Sequence, residues 1–307
     1  MMSETDDKLE QAYQFCLNLA HNHYENFPVA SLLVTKQLRR PISVIYAFAR
    51  TADDMADEGD LKPAVRNQQL EQYQIALDAI QNQSYQNSDP IFIALEDVIN
   101  CYRLPIELFY DLLSAFKQDI QKKRYQELRD IYDYCRYSAN PIGRLLLYLN
   151  GKPSQLQLQQ SDTLCTALQL LNFFQDIKQD LTENNRLYLP LEDFSDKTIT
   201  QCITDNDTTE LAPTLRRYYL QTQQMITESR MLTSEIKGRL AWEIRAITLS
   251  GLYSLKLLSQ QTDNAMFTRP RLSKWDLLII STMSISNYLY IKFTDKLHRQ
   301  ITTLNSQ

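Results

Sequence analysis

Glycine is scarce in this sequence, with 5 in 307 residues. None of the five opens a Gly-rich nucleotide loop, and so few leave little room for a turn-rich β architecture. No alternating apolar and polar stretch of useful length is present, which argues against strands. The cysteines, Cys16, Cys101, Cys135, Cys165 and Cys202, are scattered, odd in number and form no CxxC. They read as buried free thiols in a reducing compartment. His21, His23 and His298 cannot complete a usual structural zinc site with cysteines so placed. No dense basic run stands out and the net charge is −5, which excludes an obvious nucleic-acid binder. The N-terminal MMSETDDKLE is acidic and polar, unlike a secretory signal, so a cytoplasmic location is expected. The most apolar stretch, Leu277 to Phe293, is broken by Ser281, Thr282, Ser284, Ser286, Asn287 and Lys292. It falls short of the roughly 20 mostly apolar residues a spanning helix needs. It reads as a core helix; the sharper alternative is a peripheral contact with the inner face of a membrane.

What is present is helical. Hydrophobic residues make up 44% of the chain, enough for a substantial core. Prolines divide it into stretches with apolar residues three and four apart. Leu9, Tyr13, Cys16, Leu19, Ala20 and His23 show the pattern, as do Leu70, Tyr73, Leu77 and Ile80. Polar stretches at 82–89 and 204–210 read as loops, not domain linkers. The expectation is an all-α, single-domain helical bundle over residues 1–307, with a C-terminal helix at about 272–299.

Residues 44–60, VIYAFARTADDMADEGD, begin apolar and end with Asp53, Asp54, Asp57, Glu58 and Asp60. Positions four apart share a helix face, so Asp53 pairs with Asp57 and Asp54 with Glu58. Like charges at that spacing repel, and acids at a helix C-terminus oppose its dipole. A solvated acidic helix end therefore explains them poorly. A hard divalent cation would offset the repulsion, and Mg²⁺ commonly binds one or two carboxylates plus substrate phosphates. Arg50, one turn earlier, could hold a phosphate oxygen.

Residues 169–190, QLLNFFQDIKQDLTENNRLYLP, repeat the theme: Asn172, Asp176 and Asp180 recur at steps of four beside Leu170, Leu171, Phe173, Phe174 and Ile177. Oxygen-bearing groups next to an apolar stripe are costly unless something satisfies them. Arg186 and Tyr188 follow on the exit segment and could reach a diphosphate. Together the two motifs imply opposed carboxylate clusters clamping Mg²⁺ and diphosphate at the mouth of an apolar cavity.

With these motifs the chain resembles the squalene/phytoene synthases, the head-to-head branch of helical isoprenoid synthases, from about residue 10 to about residue 275. YAFARTADDMAD is similar to the family's first aspartate motif and NFFQDIKQDLTENNRLYLP to its second. HYENFPVAS, residues 23–31, resembles a flap that closes over diphosphate, and YCRYSANPIGRLLL, residues 134–147, the kinked mid-chain helix. Ser138, Ala139 and Asn140 stand where many members have Val-Ala-Gly, and Gln175 where many have Arg. Both departures resemble the bacterial hydroxysqualene branch of hopanoid biosynthesis. There one enzyme makes presqualene diphosphate, this type converts it with water to hydroxysqualene, and a flavin-dependent enzyme reduces that product to squalene.

The resemblance implies Mg²⁺ at Asp53, Asp54, Asp57, Asn172, Asp176 and Asp180, acting as a Lewis acid on the leaving diphosphate. Arg50 and Arg186 would add fixed positive charge. His23, Tyr24, Asn26, Gln169, Tyr188, Tyr253 and Arg271 are implied contacts to substrate, Arg271 being favoured within the cluster Arg269, Arg271 and Lys274. Phe27, Phe173, Phe174, Tyr134 and Tyr137 are candidate cation-facing aromatics, each equally able to be plain core. Ser138 and Asn140, at a break where Pro141 removes a donor, could position the terminating water. Two alternatives stay open: a presqualene diphosphate or squalene synthase joining two farnesyl diphosphates, and a non-catalytic helical assembly factor of the same fold.

Overall fold

Fourteen α-helices run through the residues described by the structure, a computed structural model covering 4–22, 36–86, 88–236 and 238–305. In chain order they are α1 (Glu4–Asn22), α2 (Lys36–Asp57), α3 (Pro63–Gln81), α4 (Pro90–Tyr102), α5 (Glu107–Gln121), α6 (Leu128–Ser138) and α7 (Asn140–Leu149). There follow α8 (Gln155–Asn184), α9 (Asp196–Asp205), α10 (Ala212–Glu228), the short α11 (Leu232–Glu235), α12 (Gly238–Ser259), α13 (Lys274–Ser284) and α14 (Asn287–Asn305). No strand occurs among the described residues; Tyr125 and Pro190 form an isolated parallel bridge.

Local chemistry sets the boundaries. Pro63 and Pro90 occupy first-turn positions, where a missing N–H costs nothing. The Asp89 carboxylate accepts the Ile91 amide at 2.9 Å, and Arg103 in the left-handed region ends α4. Reciprocal capping boxes start α6 (Glu127 with Asp130), α8 (Ser154 with Gln157) and α13 (Ser273 with Asp276). The expected loop at 82–89 falls between α3 and α4, whereas the one at 204–210 overlaps the last two residues of α9, Thr204 and Asp205, before the connection to α10.

The described residues form two compact units. The first takes the chain up to Lys122 together with Pro141–Pro153, the second Lys123–Asn140 and everything from Ser154 onward. In the first, α2 is the central element, packed by α1, α3, α4 and α5. Phe48 is its hub, with Phe109 edge-on at 5.3 Å, Phe92 at 5.9 Å and Tyr73 at 5.5 Å. Burying rings of this size contributes about 2 kcal/mol or more each. The end of α7 joins the same core through Leu145 and Leu149.

In the second unit α8 packs on α10, α12 and α6. Phe174 is fully inside, 5.4 Å from Tyr219 and 6.2 Å from Tyr218, so this candidate aromatic is core. Gly251 lets α12 approach α8 closely: a Cβ there would lie 2.7 Å from Leu168 Cδ2. The C-terminal expectation needs correction. The segment is two helices, broken at Ile285–Ser286, and α13 leaves Trp275, Leu277, Leu278 and Ile279 exposed where a core helix was expected.

Candidate active site

The first acidic motif lies at the C-terminal end of α2. Arg50 is tied to its acids: one guanidinium nitrogen is 2.7 Å from Asp54 and 2.7 Å from Glu58, and the other 3.8 Å from Asp53. The expected phosphate-side arginine thus offsets part of the motif's own charge. The turn beyond is held by Arg66, a buried residue the motif search missed. It donates to the Leu61 and Met55 carbonyls, each at 3.1 Å, and to that of Gly59, whose φ of 72° suits glycine.

Burial first, then the neighbouring Asp57, push the Asp53 carboxyl up to about 7, with Asp119 and Asp54 adding and Arg50 opposing. The side chain still leaves 39% of its surface open, so a ligand can reach it. Asp119 on α5 is a second missed residue, only 3% exposed. Its signal in the sequence was a carboxylate on the apolar face of a helix, in step with Leu112, Ala115 and Phe116.

Among the described residues no three His, Cys, Asp or Glu side chains form a ready-made metal site. Mg²⁺ typically needs only one or two carboxylates, its remaining positions being filled by water and phosphate. Asp53 and Asp57 suit that role: they are hard oxygen donors whose mutual repulsion, expressed in the raised Asp53 pKa, a cation would relieve.

The second motif lies on α8. Asn172 is exposed, so the desolvation argument made for it from sequence does not apply, whereas Asp176 and Asp180 are half-buried. Burial raises the Asp176 pKa and Arg269 opposes it, with Nη1 3.0 Å from Oδ1. The cationic partner here is Arg269; Arg269 and Arg271, the residue expected to contact phosphate, are both exposed. Gln169 and Gln175 are half-buried on the same helix.

At the end of α8, Asn185 adopts the left-handed conformation and the Arg186 amide donates to the Asp180 carbonyl at 2.9 Å. Arg186 is buried directly behind the motif. Arg124, another missed residue, clamps this exit by binding the Asn185 carbonyl and side chain and the Asp196 carboxylate. Paired backbone bonds, Leu187 to Lys123 and Leu191 to Tyr125, then carry Tyr188 inward.

Three expected residues meet there. Tyr188 stacks on Phe173 at 4.0 Å with 5° between planes, and Tyr134 is 5.5 Å from Tyr188. Tyr125 completes the cluster, 5.5 Å from Tyr188. Stacking covers one face of Phe173 and one of Tyr188. Tyr137 faces a different cation, with the Arg136 guanidinium 5.7 Å from its ring centre.

The helix break stands at Ala139. Ser138 donates to the Tyr134 carbonyl at 3.0 Å, while buried Asn140 accepts from Thr166 on α8 at 3.0 Å. The Tyr253 hydroxyl donates to Asp276, and its ring stacks on Phe293 at 6.3 Å. His23, Tyr24, Asn26 and Phe27 lie outside the described residues.

Comparison with known proteins gives these features a family. The squalene/phytoene synthase family profile matches residues 20–276. The chain is 31% identical over 266 residues to the hydroxysqualene synthase of Rhodopseudomonas palustris, covering 86% of this chain and 88% of that one. It is 29% identical over 273 residues to the hydroxysqualene synthase of Sinorhizobium fredii, covering 87% and 90%. Among solved structures, the squalene synthase HpnC from Alicyclobacillus acidocaldarius aligns with a TM-score of 0.75 at 33% identity, over 83% of this chain and 95% of that one. An all-helical chain with two acidic motifs, matched along most of its length, belongs to the squalene/phytoene synthase family.

Proposed function

We propose that this chain converts presqualene diphosphate and water to hydroxysqualene and diphosphate, upstream of squalene and hopanoid synthesis. Similarity to hydroxysqualene synthases along most of both chains supports the substrate. The observation that carries the chemistry is the crowding of Asp53 by Asp57, Asp119 and Asp54, a local excess of negative charge suited to a divalent cation.

Bound Mg²⁺ would supply Lewis-acid neutralisation of the departing diphosphate. Asp53 and Asp57 of the first motif, and Asp176 and Asp180 of the second, are each proposed carboxylate ligands for Mg²⁺, with Asp54 and Asn172 as further oxygen donors of their own motifs. Arg50 and Arg269 hold fixed positive charge beside these acids, and Arg186 is a further proposed cation for the diphosphate. The carbon–oxygen bond breaks with its electron pair leaving on diphosphate. The resulting cyclopropylcarbinyl cation rearranges, water adds its oxygen, and a proton is lost. Tyr134, Phe173 and Tyr188 offer ring faces and edges that exclude bulk water from the cation. Asn140, fixed by Thr166, is the proposed water-positioning group. Substrate and product are long hydrocarbons, so a peripheral membrane contact belongs to the same reading.

A second reading, the joining of two farnesyl diphosphates, draws support from the name squalene synthase carried by the matched structure. Purified protein with Mg²⁺ and no nicotinamide, given presqualene diphosphate or farnesyl diphosphate separately, distinguishes the two. Hydroxysqualene from the first substrate alone supports the proposal; presqualene diphosphate made from the second selects the alternative.

A further inference from the structure

The outer face of α13 and the start of α14 is apolar and open. Trp275 is 74% exposed, Leu278 56%, Ile285 62% and Tyr288 64%. The chain reverses at Ile285–Ser286, since Tyr253 on α12 meets both Asp276 of α13 and Phe293 of α14, so the four exposed side chains sit on a helical hairpin packed against α12. The inner side is firmly held. Trp242 donates to Ser284 Oγ at 2.6 Å, Arg245 to the Ser284 carbonyl at 2.7 Å, and Ile280 and Tyr290 are buried. The hairpin is therefore fixed in place, and a cluster of large apolar side chains left open on it marks an interaction site.

Charge identifies what it meets. From Arg269 to Asn305 the chain carries six Lys and Arg against two Asp, in a protein of net charge −5. Both acids are engaged internally, Asp276 by Ser273 and Asp295 by Arg230. Arg271 and Lys274 before the apolar stripe and Lys292 and Lys296 after it are exposed. Lys292 reaches over the Tyr288 ring, 4.6 Å from its centre. Tryptophan and tyrosine flanked by cations suit the boundary between lipid headgroups and acyl chains. A two-fold contact with a second copy would set these cationic rims against each other. No helix among the described residues is long and apolar enough to cross a membrane.

We infer that this face docks the protein on an anionic lipid bilayer, with Trp275, Leu278, Ile285 and Tyr288 inserted and Lys274 and Lys292 against the headgroups. The same unit ties the face to the second motif: Arg269, six residues before Trp275, pairs with Asp176, and Asp276 accepts from Tyr253. A docked enzyme would exchange long-chain substrate and product with the bilayer. That consequence rests on the proposed function; docking itself does not.

The test uses the full chain and vesicles of phosphatidylcholine, with or without about 30% phosphatidylglycerol. The protein should sediment with anionic vesicles at least tenfold better than with neutral ones. Its tryptophan emission should shift to the blue, a shift lost in Trp275→Phe. Lys274→Glu with Lys292→Glu should abolish the preference for anionic lipid. Trp275→Ser with Leu278→Ser and Ile285→Ser should lower binding at least tenfold while keeping the far-UV spectrum and turnover in detergent micelles. No vesicle binding by the native chain, or undiminished binding by the triple variant, overturns the inference. So does light scattering that shows a dimer dissociated by the same substitutions. Vesicle binding without turnover of presqualene diphosphate would leave the surface standing and remove the functional reading instead.

Discussion

Arg269 holds its guanidinium 3.0 Å from the Asp176 carboxylate, joining the segment after α12 to the acid at the centre of the second motif. Arg271, two residues on, is exposed. Arg269→Gln should therefore weaken Mg²⁺-dependent binding of inorganic diphosphate about tenfold, the lower end for a charge-assisted contact because Arg269 is 53% exposed. Arg271→Gln should change it less than about threefold. Isothermal titration of the two variants checks the register; equal losses would contradict it.

Asn140 is positioned by its bond from Thr166. Asn140→Ala should cost about 1 kcal/mol of stability and lower the proportion of alcohol among the products. Thr166→Val, which leaves the amide in place but unanchored, should shift the product ratio in the same direction. Gas chromatography with mass detection reads the ratio, and an unchanged ratio in Asn140→Ala would remove this residue from the water-positioning role.

Gly251 and Leu168 set the approach of α12 to α8. An alanine Cβ meets only the tip of a leucine side chain, and the gain in helix propensity of about 1 kcal/mol offsets the shift. Gly251→Ala should thus be nearly neutral. Gly251→Val adds branches where Ile226 already lies 3.4 Å from the Cβ position and should cost about 2 kcal/mol or more. Urea unfolding of both variants separates these outcomes.

Glu243 is buried on α12, and burial pushes its carboxyl up to about 7. A raised carboxyl pKa means that the folded state holds its proton longer than the unfolded chain, whose glutamate titrates near about 4.3. Stability should then fall as pH rises between those two values and level off above about 7. Glu243→Gln should flatten that fall, raising the melting temperature at pH 8 and leaving it nearly unchanged at pH 4. An identical pH profile for both proteins would show that Glu243 does not titrate in this range.

Much of this was legible in the sequence because the motifs are local. Asp53, Asp57, Asp176 and Asp180 announce themselves by four-residue steps, and Pro90 and Ser154 mark helix starts by their own chemistry. Asp119, Arg66 and Arg124 were not legible, because each acts on residues distant in sequence or outside any motif. Asp119 bears on Asp53 from another helix, and Arg124 binds Asn185 across 61 positions. The partner of Asp176 was not legible for a different reason. Arg269, Arg271 and Lys274 are chemically interchangeable on paper, and only packing decides which one meets Asp176. The apolar stripe from Trp275 was equally ambiguous, since hydrophobic periodicity cannot say whether a face is covered.

The most direct test of the proposed reaction is incubation with presqualene diphosphate and Mg²⁺ in ¹⁸O-water, followed by mass spectrometry of the products. Hydroxysqualene carrying one ¹⁸O, lost in Asp53→Asn and in Asp176→Asn, is the result expected from a metal-assisted departure of diphosphate and capture by water. Alcohol without the label, or full turnover in either variant, would contradict it.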